Sequence, residues 1–292
     1  MAKISIELIK ELRARTGAGL GDCKKALEES NGDIEKAIDL LKQWGIAKAV
    51  KKISREAKDG LVRVYKTSDG KRAGIIELNC ETDFVARTDE FQELADMLVK
   101  LVAEKDFKDV KELLNYEHGG EKIENIIKQH ITKFGENIVL RRIGKMETEK
   151  DNLYIDTYLH FGSRLGVLLK VEVDKPEFLK NKDLLKVIHD LSLQIAALSP
   201  IAIKREEVPK EIIEKEKEIY REQVKKSGKP EKIVEKIVQG KIEKFYSEIC
   251  LLEQNYFRQP EKTISEFLKE NENKFGVKIE PREFLRFKIG EA

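Results

Sequence analysis

Cysteine is scarce in this chain, and Cys23, Cys80 and Cys250 form no CxxC pair. Neither a zinc ribbon nor a disulfide framework is therefore encoded, and the expected compartment is the reducing cytoplasm. The four histidines, His118, His130, His160 and His189, fall in separate predicted elements with no HxxxH or HExxH spacing, so no metal site is expected. Long apolar runs are missing too. The first residues, MAKISIELIKELR, lack the apolar stretch of a signal peptide, and the longest interior candidates are runs such as Ile195 to Leu198, far short of a bilayer span. The phosphate-loop pattern GxxxxGK[ST] does not occur. The nearest dinucleotide-like string, Gly17-Ala-Gly19-Leu-Gly21, lies between predicted helices with no strand before it, which is the setting of a helix-helix turn. Cys80 admits two readings, a nucleophile or a small core residue on a strand. Carboxylates are so abundant that any close pair is uninformative. No catalytic residue, cofactor or direct nucleotide site is expected.

What is abundant is charge of both signs. Charged residues make up 38% of the 292 positions, yet 56 Lys and Arg stand against 54 Asp and Glu, leaving a formal net charge of +2. Nucleic-acid wrapping needs an uncompensated basic surface, so strong nucleic-acid binding is not expected and a protein partner is. The same composition suits surface ion-pair networks of the heat-adapted kind.

The length allows about two domains. Residues 4 to 44 predict three short helices, broken at Thr16-Gly-Ala-Gly19 and at Asn31-Gly32-Asp33. They define a three-helix module over 1–47, followed by a basic linker over 48–58. An internal repeat fills the remainder and predicts an α+β fold with two related subdomains, each carrying a three-stranded antiparallel sheet. In the first copy, 59–148, strands at Gly60 to Tyr65 and Ala73 to Leu78 flank Asp69-Gly70, a hairpin signal. A helix from Glu90 to Ala103, Phe134-Gly135 and a strand from Ile138 to Gly144 follow. In the second copy, 149–208 and 259–292, strands at Leu153 to Leu159 and Leu165 to Val173 flank Phe161-Gly162-Ser163. A helix from Lys182 to Leu198, Phe275-Gly276 and a strand from Phe284 to Gly290 repeat the order. Inserted over 209–258 is a predicted antiparallel coiled-coil hairpin, turning at Ser227-Gly-Lys-Pro230.

One segment stands apart: Glu77-Leu-Asn-Cys-Glu-Thr-Asp-Phe-Val-Ala-Arg87, where a strand gives way to a helix. Asn79, Thr82 and Asp83 are turn and capping types, so the chain leaves the sheet here. Phe84 then sits beside Asp83 either at an exposed corner or tucked back as core.

That string resembles the signature of the elongation factor Ts family. A second signature of the family is similar to Leu12-Arg-Ala-Arg-Thr-Gly-Ala-Gly-Leu-Gly-Asp-Cys-Lys-Lys-Ala-Leu27, and further landmarks in family order resemble Gly135-Glu-Asn-Ile138, His160-Phe-Gly-Ser-Arg-Leu-Gly-Val-Leu168, Ser227-Gly-Lys-Pro230 and Leu251-Leu-Glu-Gln254. The resemblance implies a ubiquitin-associated-like helical module, two related core subdomains and the inserted coiled coil. It also implies a guanine-nucleotide exchange factor for elongation factor Tu, not an enzyme. Thr82, Asp83, Phe84 and Val85 would displace the magnesium ion in the partner's nucleotide site, Phe84 entering a cleft between helices and Asp83 assisting. Arg13 and Leu20 become candidate partner contacts of the helical module, with Arg13 equally readable as a solvated charge; His160 and Arg164 belong to the third landmark and are readable as residues that shape a turn. Homodimerisation stays open. A different class of reading is an adaptor whose three-helix module captures a helix or nascent chain. A further one is RNA binding through 48–58, which predicts a steep loss of affinity with salt.

Overall fold

The computed structural model describes residues 4–50, 52–225 and 231–291. The chain divides into two compact units, one of residues 1–63, 76–143 and 288–292, the other of residues 64–75 and 144–287.

The first unit opens on three helices, α1 (Ile6–Thr16), α2 (Leu20–Glu29) and α3 (Ile34–Val50). Ser5 caps α1 by accepting from the Leu8 amide, and Leu12, Cys23, Ala26, Leu27 and Ala37 close a small core among the three. The sequence places the end of the third helix inside 4–44 and a linker from 48, but α3 continues to Val50. Gly45 does not break it, because the helix there runs against Thr132: a Cβ on Gly45 would stand 3.2 Å from Thr132 Oγ1, and that hydroxyl donates to the Gly45 carbonyl at 2.6 Å. Close backbone approach accounts for a glycine at this position.

Strands β1 (Asp59–Lys66) and β2 (Arg72–Cys80) follow, then the single turn α4 (Asp83–Ala86), α5 (Asp89–Glu104) and α6 (Val110–Asn115). A small hairpin of β3 (Glu117–His118) and β4 (Glu121–Lys122) leads into α7 (Ile123–Phe134) and β5 (Val139–Glu147). The sheet order is β1-β2-β5. As the middle strand, β2 is buried along almost its whole length, and α5 lays Phe91, Leu94, Leu98 and Val99 into the interior.

The second unit contains β6 (Leu153–Leu159) and β7 (Leu165–Val173), antiparallel with Leu153 opposite Glu172 and Leu159 opposite Gly166. These two strands and α8 (Lys182–Leu198) occupy the residues that composition, turn signals and periodicity predict. Two long helices, α9 (Lys210–Lys225) and α10 (Glu231–Ile249), come next, then β8 (Asn255–Tyr256), β9 (Gln259–Thr263), α11 (Ile264–Phe275) and β10 (Ile279–Lys288). Its sheet order is β10-β7-β6, over a core that includes Val167, Leu169, Val171, Ile188, Leu191 and Leu268. The last strand starts five residues before the predicted Phe284 and includes Pro281, tolerable because β10 is an edge strand.

The repeat is visible in the topology. Each sheet sets the second strand of its hairpin in the middle and the returning third strand beside it. In each half the helix before that third strand ends on a left-handed glycine after phenylalanine, Gly135 at φ 77° and Gly276 at φ 68°.

Helices α9 and α10 pack on each other through Ile213, Val224, Val234, Val238 and Ile242. Their base is braced. The Ile201 amide donates to the Ile249 carbonyl, the Leu251 amide to the Ala202 carbonyl, and Arg205 pairs with both Glu243 and Glu253. The predicted turn at Ser227 to Pro230 lies outside the described residues. Among the described residues no helix is long and apolar enough to cross a membrane.

Candidate functional site

The chain leaves β2 at Cys80 and makes a corner within six residues. Thr82, in extended conformation, caps α4: its hydroxyl accepts from the Val85 amide at 3.4 Å. Thr88 then caps α5 by accepting from the Phe91 amide at 3.3 Å while its own hydroxyl donates to the Val85 carbonyl at 2.8 Å. Two threonine caps thus pin one helical turn from both ends. Val85 and Ala86 face inward and are buried, which turns Phe84 outward with 79% of its surface exposed. The alternative of Phe84 as core is corrected by this geometry. Asp83 shares the outer side and pairs with Arg87 at 2.8 Å.

A loop far along the chain holds the corner. Glu136, 54 residues beyond Thr82, accepts the Glu81 amide at 3.1 Å, the Thr82 amide at 3.0 Å and the Thr82 hydroxyl at 2.7 Å. In return the Asn137 amide donates to the Glu81 carboxylate at 2.7 Å. The Asn137 side chain, 1% exposed, donates to the carbonyls of Ile53 and Arg55 at 3.1 and 2.7 Å, and Lys52 Nζ donates to the Gly135 carbonyl at 2.6 Å. Residues 135–137 therefore fasten the corner, the segment after α3 and the end of α7 together.

Cys80 lies beneath the corner, its thiol donating to the Thr82 carbonyl at 3.1 Å. Burial, reinforced by the Glu136 and Asp59 carboxylates, pushes the thiol up to about 12, which argues against a nucleophile and for the core reading. Glu77 is a fully buried carboxylate matched by Arg142 at 2.6 Å and by the Asn79 amide nitrogen at 3.3 Å. That buried ion pair ties β2 to β5.

The other sequence candidates lie elsewhere. Arg13 sits exposed on α1, and Leu20, 52% exposed, opens α2, both in the three-helix module. His160 and Arg164 flank the β6-β7 turn in the second unit, where Tyr158 and His160 Nδ1 are hydrogen-bonded at 2.6 Å. Phe161, which the sequence presents only as part of a turn, is 96% exposed there. The signal was present, since the apex of a Phe-Gly-Ser turn has no interior to bury a ring. Glu136 is not legible as a site residue either, because nothing in Gly135-Glu-Asn says which distant amides it meets. A cavity of about 350 Å³ between the helical module and α7 is lined by Trp44, Leu41, Thr132 and the Gly17 turn among others, and by none of Arg13, Leu20, Asp83, Phe84, His160 or Arg164. Among the described residues no group of acidic, histidine or cysteine side chains could hold a metal ion.

Sequence comparison gives the class, a translation elongation factor of the nucleotide-exchange type. A family model described as Elongation factor TS matches residues 81–291. Curated relatives named Elongation factor Ts include those of Aquifex aeolicus, 44% identical across 98% of both chains, and of Clostridium botulinum strain Alaska E43, 45% identical across 99% of this chain and 94% of the relative. That of Halothermothrix orenii is 44% identical across 99% of this chain and 93% of its own. The chain belongs to the elongation factor Ts family.

Proposed function

We infer that the chain binds elongation factor Tu carrying GDP and speeds GDP release, with Thr82 to Val85 as the element that disturbs the magnesium ion in the partner's nucleotide site. The observation that carries this reading is the outward Phe84 ring on a corner whose backbone is fixed from four directions. A phenylalanine exposed to this degree contributes nothing to its own core, and its hydrophobic gain, about 1.5 to 3 kcal/mol, is available to a partner cleft.

Exchange is a coupling between two ligands of the partner, so what the factor takes from GDP affinity, GDP takes from the factor. Weakening GDP about a thousandfold requires roughly 4 kcal/mol at about 1.4 kcal/mol per tenfold. Phe84 alone falls short of that. The remainder comes from displacing the magnesium and from a wider docking surface, to which Arg13, Leu20, His160 and Arg164 are assigned. Among the described residues the Asp83 carboxylate is held by an exposed ion pair with Arg87. Such pairs are worth about 0 to 1 kcal/mol, so the carboxylate is released to the partner at little cost. The chain makes and breaks no covalent bond in this scheme and acts in the cytosol.

The test is stopped-flow release of fluorescent GDP from elongation factor Tu. Replacing Asp83 and Phe84 together with Ala should leave most of the binding and greatly slow release. Wild-type release by the double variant removes the corner from the mechanism, and binding without any acceleration by the unaltered chain establishes an adaptor instead.

A further inference from the structure

We propose that Glu136 is the positioning residue of the exchange reaction: its carboxylate fixes the direction in which Asp83 and Phe84 leave the body. The proposal rests on the exchange reading above.

The corner cannot hold itself. Helix α4 has only four residues, and a single helical turn in isolation is unfavourable, because nucleation fixes several dihedrals for one hydrogen bond. The bonds it does form are long, 3.4 Å from the Ala86 amide to the Thr82 carbonyl and 3.2 Å from the Arg87 amide to the Asp83 carbonyl. Nor does Phe84 find its orientation in packing, since its ring is largely bare. Burial of Val85 and Ala86 and the caps of Thr82 and Thr88 set which side of the turn faces out, and the direction of the turn itself is set by the backbone entering it, where Glu136 acts. One carboxylate accepts two consecutive amides, of Glu81 and Thr82, and the Thr82 hydroxyl that caps the turn. Charge-assisted acceptors of this kind are roughly twice as strong as neutral ones.

The carboxylate is itself placed. Gly135 ends α7 in the left-handed region and receives Lys52, while Asn137 is buried and bonded to Glu81, Ile53 and Arg55. Glu136 thus stands between two anchored neighbours and can transmit their position to the corner. An ordered corner presents the wedge without spending binding energy to order it, which is the advantage of preorganisation.

The experiment measures the rate of fluorescent-GDP release from elongation factor Tu against concentration of the full chain, giving a saturating rate and a KM. Glu136→Ala should lower the saturating rate on the order of 10- to 100-fold, the cost of misplacing a reacting group, with KM little changed because the docking surfaces remain. Glu136→Gln should recover most of that rate, since its amide oxygen still accepts the two backbone amides. If Glu136→Ala does not yield folded protein, Glu136→Asp is read in the same assay; it keeps the charge but withdraws it by one methylene, and should also lose saturating rate. A wild-type saturating rate in Glu136→Ala or, where that variant does not fold, in Glu136→Asp, or a rise in KM alone, overturns the proposal. Phe84→Ala run in parallel separates the two levels: slow release by Phe84→Ala with normal release by the Glu136 variants removes Glu136 and leaves the wedge, whereas normal release by Phe84→Ala removes the wedge itself.

Discussion

Phe84 and Phe91 lie seven positions apart and do opposite things. Phe91 is fully buried at the start of α5, while Phe84 projects from α4. Truncating a buried phenylalanine costs about 3 to 5 kcal/mol, whereas a surface change away from caps and buried pairs stays within about 0.5 kcal/mol. Phe84→Ala should therefore keep the urea midpoint of the parent, and Phe91→Ala should lower it severely. A large loss of stability in Phe84→Ala would mean that the ring packs on its own chain. From sequence the two rings are hard to tell apart, since Asp-Phe-Val-Ala is as compatible with a buried turn as with a projecting one. What decides is Thr82 capping the turn and Glu136 arriving from 54 residues away, and the second of these is a tertiary fact. The candidate site was legible through its similarity to a family signature, while its support was not.

Among the elements, those with a long, clean period were legible and the short ones were not. Strands β6 and β7 run for seven and nine residues on either side of a Phe-Gly-Ser turn and α8 keeps its apolar face for 17, so composition and turn signals locate them. The two-residue strands β3, β4 and β8 carry no pattern at all, and exist because a neighbouring segment supplies hydrogen bonds. Helix α11 shows how a local signal can be decisive. Thr263 accepts from the Glu266 amide at 3.2 Å, and the Glu266 carboxylate accepts from the Thr263 amide at 2.7 Å, a complete capping box. The Thr263 amide holds Glu266 below the usual carboxylate range. Its lowered pKa means the contribution is present above the unfolded carboxylate range and is lost as pH falls through it. Thr263→Ala should cost about 1 kcal/mol in urea unfolding at neutral pH, within roughly 0.5 to 2, and less in acid. The lesser cost in acid comes from the bond of the Thr263 hydroxyl to the Glu266 carboxylate, and an equal cost at both pH values would assign the whole effect to the bond from the Glu266 amide to that hydroxyl.

At the scale of the whole molecule, a duplicated body with nearly balanced charge has few groups that report on both halves, and the thiols are among them. Cys23 and Cys80 belong to the first unit and Cys250 to the second, and all three are free and buried. Burial raises each one, Cys80 to about 12 and Cys250 to about 11, with the Glu136 and Glu253 carboxylates respectively adding to the rise. A buried thiol resists ionisation, so the unfolded chain loses its proton first, near pH 9, and the folded chain later. The raised folded value makes the contribution complete below pH 9 and removes it as pH climbs toward the folded value. Between about pH 9.5 and 10.5 each thiol should therefore subtract on the order of 1 kcal/mol per pH unit from the unfolding free energy. Lysines and tyrosines titrate in the same range, so the measurement is a difference: urea unfolding of the parent and of the Cys80→Ala, Cys250→Ala double variant, followed from pH 8 to 10.5. The variant should be less stable at pH 8, because two buried side chains are smaller, and its curve should fall less steeply, narrowing the gap as the thiols of the unfolded parent ionise. Parallel curves would mean that neither thiol is kept neutral by the fold, and would return Cys80 to the list of candidate nucleophiles.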